Sequence, residues 1–280
     1  MPESPSIRIL VTGSKGFIGK NLILRLSETS QYEYLEFTRD DDPQSLYSLV
    51  KNVDAVIHLA GENRPNDSQA FETVNVDLTK ILCEAVKIEM EASGRKISII
   101  FASSSQAELD NPYGLSKLKA ENIIKELSDS MSCPAVIFRL PGVFGKWCKP
   151  NYNSVVATFC HNIANDIAIQ IDSPEKIIKL AYIDDVLDAI LKSLQNPIGI
   201  NLYTELNNQH EISLGELAQY IKKFMNFKET LLIEQVGIGL PRALYSTFMS
   251  YLPNNAFVYD IPEHTDSRGT FVEMLKTQNS

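Results

Sequence analysis

The 280 residues are 44% hydrophobic, 22% charged and 9% aromatic, the proportions of a folded globular chain, which excludes disorder as the main state. Against 35 acidic side chains stand 26 basic ones, and the formal charge of −9 excludes a surface built to neutralise nucleic-acid phosphates or to lie on anionic lipid. No nucleic acid and no membrane is therefore expected among the partners.

Residues 1–6 carry an acid and two prolines, unlike the charged and then long apolar plan of a signal peptide. No apolar run approaches the ~18 residues of a membrane span. A cytoplasmic location is the expectation. Cys83, Cys133, Cys148 and Cys160 are scattered without a CxxC pair and are expected as buried thiols of a reducing compartment.

From the N-terminus, short β-rich runs alternate with helical patterns. A strand over 7–12 precedes a helix over 17–27, 34–38 precedes 45–51, 55–59 precedes 71–92, 97–102 precedes 113–128, and 135–139 closes the series. This rhythm predicts an α/β fold, a Rossmann-type doubly wound parallel sheet with crossover helices on both faces. Near-continuous apolar strands fit a sheet covered on both sides.

Beyond about residue 151 the alternation loosens. A helix is expected over 154–164, a short strand over 168–171, a helix over 184–194, and another opened by Ser213 with Glu216 three residues on, a capping-box pattern. This half reads as a small C-terminal substrate-binding lobe. The stretch 266–276 reads as one isolated strand, which on its own has no partner.

Ile9-Leu-Val-Thr-Gly13-Ser-Lys-Gly16-Phe-Ile-Gly19 carries the strongest signal, a strand entering a glycine-spaced turn and then a helix. Glycines allow the tight turn and the approach of a pyrophosphate, and the helix N-terminus supplies free N–H groups and a positive dipole end. Its place at the first strand-to-helix junction is what gives the pattern weight. The second strand ends Phe37-Thr38-Arg39, where NAD-preferring chains usually carry an acid. Arg39, with Lys15 in the glycine loop, favours the 2′-phosphate of NADP(H), while Asp40, Asp41 and Asp42 keep NAD open.

Ser103-Ser104-Ser105 ends the fourth strand, and Asn111-Pro112-Tyr113-Gly-Leu-Ser-Lys117 opens the next helix. Four residues apart, Tyr113 and Lys117 share one helix face. An ammonium nearby stabilises a phenolate and is expected to lower the tyrosine pKa, while a strand-end serine holds a carbonyl oxygen in line with the phenol. A lone Tyr/Lys pair is commonly a surface ladder; its order after a dinucleotide loop is what makes it catalytic. Counting from Phe101 selects Ser104, with Ser103 and Ser105 left open. His58 reads as a hydrogen-bonded core residue, and no metal is expected because no second ligand stands at a suitable spacing.

Further stretches in order are Val56-Ile-His-Leu-Ala-Gly61, Asn75, Arg139-Leu-Pro-Gly-Val-Phe-Gly145 and Tyr182-Ile-Asp-Asp-Val186. Together these features, over about residues 7 to 195, resemble the extended short-chain dehydrogenases/reductases of the nucleotide-sugar type, the NAD-dependent epimerase/dehydratase family. The resemblance implies that Lys117 also holds the nicotinamide ribose. It places Gly13, Lys15, Gly16, Phe17, Ile18, Gly19, Arg39, Leu59, Ala60, Gly61, Asn75, Tyr113 and Leu140 around the cofactor. Ser105 and Gln106 stand where 4,6-dehydratases carry an acidic pair, which argues against dehydration. Ile177-Ile178-Lys179 replaces the usual diphosphate-binding arginine, leaving Arg64, Lys149, Asn153 and Lys179 as candidate substrate contacts, with Lys146 beside them.

The stretches Gly145-Lys-Trp-Cys-Lys-Pro-Asn-Tyr-Asn-Ser-Val155, Leu244-Tyr-Ser-Thr-Phe-Met-Ser-Tyr-Leu-Pro253 and Asp266-Ser-Arg-Gly-Thr-Phe-Val-Glu273 narrow the resemblance to capsular-polysaccharide reductases in which a cupin domain follows the reductase. It implies a reductase over 1–262, with an NADP-binding core over about 7–150 and a lobe over about 151–262. Residues 263–280 then begin a truncated cupin domain or form a tail. The implied activity is NADPH-dependent reduction of the 4-keto group of a UDP-linked 6-deoxy-N-acetylamino sugar. Its product is of the 6-deoxy-L-talose type, on the way to UDP-N-acetyl-L-fucosamine for a surface polysaccharide. In such two-domain proteins the cupin contributes zinc binding and dimer contacts, so a homodimer is a further expectation. A nucleotide-sugar 4-epimerase and a non-catalytic NADP(H)-sensing module stay open as alternatives.

Overall fold

Ile9, Leu10 and Val11 are consecutive in the first strand, β1 (Ile7–Thr12), and all three are fully buried, so both faces of that strand are covered. The computed structural model describes residues 6–65, 67–195 and 202–277. After β1 come α1 (Phe17–Ser27), β2 (Tyr32–Phe37), a short α2 (Leu46–Leu49) and β3 (Ala55–His58). A π-helical turn, Phe71–Asp77, runs into α3 (Leu78–Ser93), followed by β4 (Ser98–Ser104), α4 (Pro112–Met131) and β5 (Ala135–Leu140). The sheet is parallel in the order β2-β1-β3-β4-β5, so the strand order reverses between β1 and β3. In such sheets the crevice at the carboxyl ends of the strands beside the reversal receives the ligand. Here Thr12 pairs with His58, and Ser104 with Leu140, at that end.

The core under the sheet joins Leu10, Val56, Ile99 and Ile137 from the strands to Leu82, Val86 and Ile124 from α3 and α4. The fold expectation is met, and the strand and helix positions in this half lie within a few residues of those read from the sequence. The helix expected over 71–92 is divided, its first seven residues π-helical.

The chain then continues through β6 (Gly142–Phe144), α5 (Val155–Ala164), β7 (Ile177–Tyr182), α6 (Ile183–Gln195), β8 (His210–Ser213), α7 (Leu214–Met225), α8 (Phe227–Thr230), β9 (Leu232–Ile233) and α9 (Gly239–Met249). It ends with β10 (Glu263–Asp266), β11 (Gly269–Val272) and β12 (Lys276–Thr277). Two compact units result, and the boundary is not the single one drawn near residue 150. One unit joins residues up to Pro141 with Ile183–Asn208, and the other joins Gly142–Tyr182 with the described residues from Gln209 onward. The helix expected over 184–194 therefore serves the sheet unit: α6 lies against α1, where Arg25 Nη2 meets Asp188 Oδ1 at 2.7 Å.

In the second unit, β6-β7-β8 form a small sheet beside α5, α7 and α9. The Phe224 ring of α7 packs against Tyr245 and Phe248 of α9, with centroids 5.3 and 6.1 Å away. The capping box is formed: Ser213 Oγ accepts from Glu216 N at 3.2 Å, and Glu216 Oε2 accepts from Ser213 N at 3.1 Å.

Two expectations are corrected here. Residues 168–171 form no strand; Ile167 N donates to Asn162 O at 2.8 Å, and the strand of this region is β7, held between β6 and β8. The terminal stretch is not a lone strand. Asp266 Oδ1 accepts from Arg268 N at 2.8 Å and Gly269 takes φ 145°, which folds β11 back on β10 as an antiparallel hairpin, while β12 pairs with β9. Among the described residues Cys83, Cys133 and Cys160 are buried free thiols and Cys148 is half-buried. No described helix is long and apolar enough to cross a membrane.

Candidate active site

All residues read as catalytic fall on the sheet unit, at the carboxyl ends of its strands. The glycine loop leaves β1 at Gly13, whose N–H donates to Phe37 O at 2.8 Å and whose φ of 70° is left-handed. A Cβ on Gly13 would lie 2.7 Å from Ala60 N, so the loop passes directly over the end of β3. At Gly19 a Cβ would collide with the Gly13 carbonyl oxygen, which fixes how closely α1 returns to the loop. Gly16 is the N-cap of α1, with no side-chain cap and no acid in the first turn, and half-buried Phe17 and Ile18 begin the helix. The N–H groups there are free of capping carboxylates, and the buried Ser14 Oγ has no partner. Donors and one orphaned hydroxyl around a backbone cradle fit the diphosphate of a dinucleotide.

At the end of β2 both basic residues read for the 2′-phosphate meet carboxylates. Lys15 Nζ is 2.9 Å from Asp40 Oδ2, and the exposed Arg39 reaches Glu62 Oε2 at 3.1 Å. Asp41 folds back to accept from Thr38 N at 2.7 Å and Thr38 Oγ1 at 2.8 Å, bonds that hold its carboxyl below its usual range.

Beneath the loop lies an ordered hydrogen-bond chain. Ala60 N donates to Thr12 Oγ1 at 3.2 Å, Thr12 Oγ1 meets His58 Nδ1 at 2.6 Å, His58 Nε2 meets Thr79 Oγ1 at 2.9 Å, and Thr79 donates to Asn75 O at 2.7 Å. The backbone N–H of Ala60 at one end and the accepting carbonyl of Asn75 at the other set the direction, making Thr12 the donor to Nδ1 and His58 a neutral Nε2–H tautomer. Burial accordingly lowers His58 to about 3, with the Lys117 charge adding to the effect, so this is a structural histidine. Asn75, in the π-helical turn, accepts from Glu62 N at 2.7 Å and donates to Glu62 O and Ser116 Oγ, each at 2.9 Å. It thereby fixes the loop that follows Leu59, Ala60 and Gly61 against α4.

The three serines separate cleanly. Ser103 Oγ is bound to the Glu121 carboxylate and Ser105 is exposed, whereas Ser104, buried at the end of β4, accepts from Gln106 N at 3.2 Å and stands beside the Tyr113 phenol, whose pKa it lowers. Tyr113 follows directly on Pro112 at the start of α4, a start fixed by Asn111 Oδ1 accepting from Gly114 N at 2.9 Å. Its ring leans on Phe71, centroids 5.9 Å apart. Lys117, one turn on, is buried: its Nζ donates to Ala102 O at 2.8 Å and lies 4.2 Å from the centre of the Phe101 ring.

The electrostatics correct the expectation that Tyr113 is lowered. Burial raises the phenol above its ordinary value, and the neighbouring Ser104 hydroxyl pulls it back in part. Lys117 is itself lowered to about 7 by burial, opposed by the Glu121 charge. At neutral pH Tyr113 is thus a protonated phenol, a donor rather than a base.

Sequence reading missed the carboxylate behind this site. Glu121 is fully buried and receives Arg139 Nε at 3.0 Å and Nη2 at 2.6 Å. The signal was present as a carboxylate one turn past Lys117, and Arg139 stood in a stretch read only for its resemblance. Leu140, next in β5, is buried beside Ser104 in the register.

The candidate substrate contacts are dispersed. On the sheet unit Arg64 is exposed, its N–H donating to Glu62 Oε1 at 3.3 Å. On the second unit Lys149 lies 5.4 Å from the Tyr152 ring centre, Asn153 is exposed just before α5, and Lys179 is paired across the small sheet to Glu211 at 3.2 Å.

A family model described as the NAD dependent epimerase/dehydratase family matches residues 9–207. The UDP-2-acetamido-2,6-beta-L-arabino-hexul-4-ose reductase of Pseudomonas aeruginosa is 48% identical over 274 residues, 98% of this chain and 73% of that protein. The crystal structure of the capsular polysaccharide assembling protein CapF from Staphylococcus aureus superposes with a TM-score of 0.84 at 35% identity, covering 96% of this chain and 72% of that one. UDP-glucuronic acid 4-epimerase from Bacillus cereus, solved with NAD, shares the fold at a TM-score of 0.73 and 19% identity, covering 88% of this chain and 98% of that one.

Proposed function

The chain belongs to the NAD dependent epimerase/dehydratase family, and from that premise we propose that it reduces the 4-keto group of a UDP-linked 6-deoxy-N-acetylamino-hexulose, using NADPH. The product is of the UDP-6-deoxy-L-talose type, an intermediate toward UDP-N-acetyl-L-fucosamine for a capsular or surface polysaccharide. The reading is carried by the juxtaposition of Ser104 and Tyr113 with buried Lys117, in a chain 48% identical to a reductase of that class of 4-keto sugar.

When bound, the dinucleotide supplies the hydride for the carbonyl carbon. The backbone from Gly13 to Gly19 and the N-terminus of α1 are suited to hold its diphosphate, with Arg39 and Lys15 at the 2′-phosphate and Lys117 on the nicotinamide ribose. Ser104 orients the carbonyl oxygen. Tyr113, held protonated by burial, gives its proton to that oxygen as the alkoxide forms, and the Lys117 ammonium one turn away favours the phenolate left behind. Carbonyl, hydride and proton together make one alcohol, so each turnover consumes one NADPH and one proton.

Arg64, Lys149 and Asn153 are retained as candidate substrate contacts. Lys179 is the weakest, because its ammonium is already engaged by Glu211. The test is incubation with NADPH and the UDP-linked 4-keto sugar, followed at 340 nm by nucleotide absorbance. Oxidation equal to the sugar consumed is expected; conversion of sugar without net NADPH loss would instead make the protein an epimerase, and binding without conversion a sensing module.

A further inference from the structure

Glu121 joins three parts of the sheet unit through one buried carboxylate. Ser103 of β4 is bound to Oε1, Arg139 of β5 clasps both oxygens, and Tyr203, beyond α6, donates its phenol to Oε2 at 3.2 Å. Arg139 does not cancel this charge alone, since its Nη1 also reaches the exposed Glu108 at 2.9 Å and its guanidinium lies 4.7 Å from the Tyr203 ring centre. Lys117 stands four residues earlier on the same face of α4.

Resting on the reductase reading above, we propose that Glu121 is a positioning residue of the reaction: it keeps buried Lys117 an ammonium, and by holding Ser103 it leaves Ser104 to meet Tyr113.

The neighbours of Lys117 explain why it needs such a partner. Its hydrogen-bond acceptor is the Ala102 carbonyl and its other contact the face of Phe101, neither of which carries a full charge. A Cβ on Gly61 would lie 3.6 Å from Nζ, which brings the loop after β3 to its side, and the carboxylate of the next residue, Glu62, is paired with Arg39 at 3.1 Å. His58, from β3, is neutral above pH 4 or so, with its value at about 3. Tyr113, from the same helix, is a neutral phenol. Among the described residues the carboxylate acting on Lys117 is Glu121, against burial that lowers the ammonium to about 7. Ser103 and Ser104 are consecutive at the end of β4, so a bond that anchors the first to α4 also fixes the backbone that carries the second.

The experiment replaces Glu121→Gln, which keeps the shape and an acceptor for Arg139 while removing the charge. Two pH profiles are recorded on the full chain: kcat/KM for keto-sugar reduction, and NADPH affinity by nucleotide fluorescence. The limb on which each falls with rising pH is expected to move down by about one pH unit, while Glu121→Asp, which retains the charge, stays at the wild-type position. Should Glu121→Gln not fold, the pair Glu121→Leu with Arg139→Met removes both charges without leaving either unpaired, and the same downward shift is expected. A folded charge-free variant whose two limbs coincide with wild type would overturn the proposal. If the wild type reduces no keto sugar, the reductase reading falls, and the NADPH-affinity limb alone decides the role of Glu121.

Discussion

Ser103 and Ser104 are neighbours at the end of β4, yet the first is bound to Glu121 inside the α4–β5 packing and the second stands beside the phenol of Tyr113. Both partners belong to α4, Tyr113 in its first turn and Glu121 further along. Ser104→Ala is therefore expected to lower kcat by about 10²-fold, a single oriented hydrogen bond in a preorganised site. Ser103→Ala is expected to lower kcat less, by about 3–10-fold through the loosened Ser104, and to lower the melting temperature, because it leaves one bond of a buried carboxylate unmade. Steady-state kinetics with thermal melts of both variants check the pair.

Removing the proton donor separates chemistry from binding. Tyr113→Phe is expected to lower kcat by about 10²–10⁴-fold while NADPH affinity stays within about twofold of wild type. Dinucleotide titration and turnover on the same preparation measure this.

Buried Lys117 makes function costly to stability. Its folded value of about 7 lies below the ordinary value of 10.5, so between those limits the unfolded chain holds more protons. Stability therefore rises with pH through that window, and the penalty is fully present below it. Lys117→Met is expected to abolish reduction and, at pH 7, to melt higher by on the order of 5 °C, with a flatter dependence of melting temperature on alkaline pH.

For His58 the relevant window is acidic. Its value of about 3 in the fold, against 6.5 when unperturbed, means that the unfolded chain binds the extra proton between those limits. Stability is lost as pH falls through that range. His58→Gln is expected to cost about 1–3 kcal/mol at pH 7, from the broken chain between Thr12 and Thr79, yet to lose less on acidification to pH 4 than wild type. Denaturant midpoints at the two pH values give the comparison.

On the NADPH reading, cofactor choice rests on the end of β2. Arg39→Ala is expected to raise the KM for NADPH by about 10–100-fold and that for NADH far less, the loss of a charge-assisted contact to the 2′-phosphate. Because Glu62 holds that guanidinium at 3.1 Å, Glu62→Gln is expected to shift preference further toward NADPH. The ratio of kcat/KM for the two nucleotides reads out both variants.

The sheet and the glycine loop were legible because their signals are local: apolar strands of the right length, and glycines at the first junction. The Tyr113/Lys117 pair was legible through its helical spacing. The sign of the Tyr113 shift was not, because burial of the phenol is decided by Phe71 and the surrounding fold. Glu121 was hidden for a similar reason, its partners Ser103 and Arg139 each lying 18 residues away on separate strands. Ile167 to Ile171 carried an apolar pattern but no strand to pair with, whereas β7 has partners on both edges despite Lys179 within it. The helix at Ile183 returns to the sheet unit through Arg25 and Asp188, a contact spanning 163 residues that no local pattern announces.

The most direct measurement is transfer from NADPH carrying deuterium at C4 of the nicotinamide to the UDP-linked 4-keto sugar, with the product examined by NMR. One deuterium at C4 of the sugar, lost when Tyr113 is replaced by phenylalanine, is the result expected from a phenol that protonates the forming alkoxide. Label retained wholly in the nucleotide, or incorporation unchanged in the phenylalanine variant, would contradict the account.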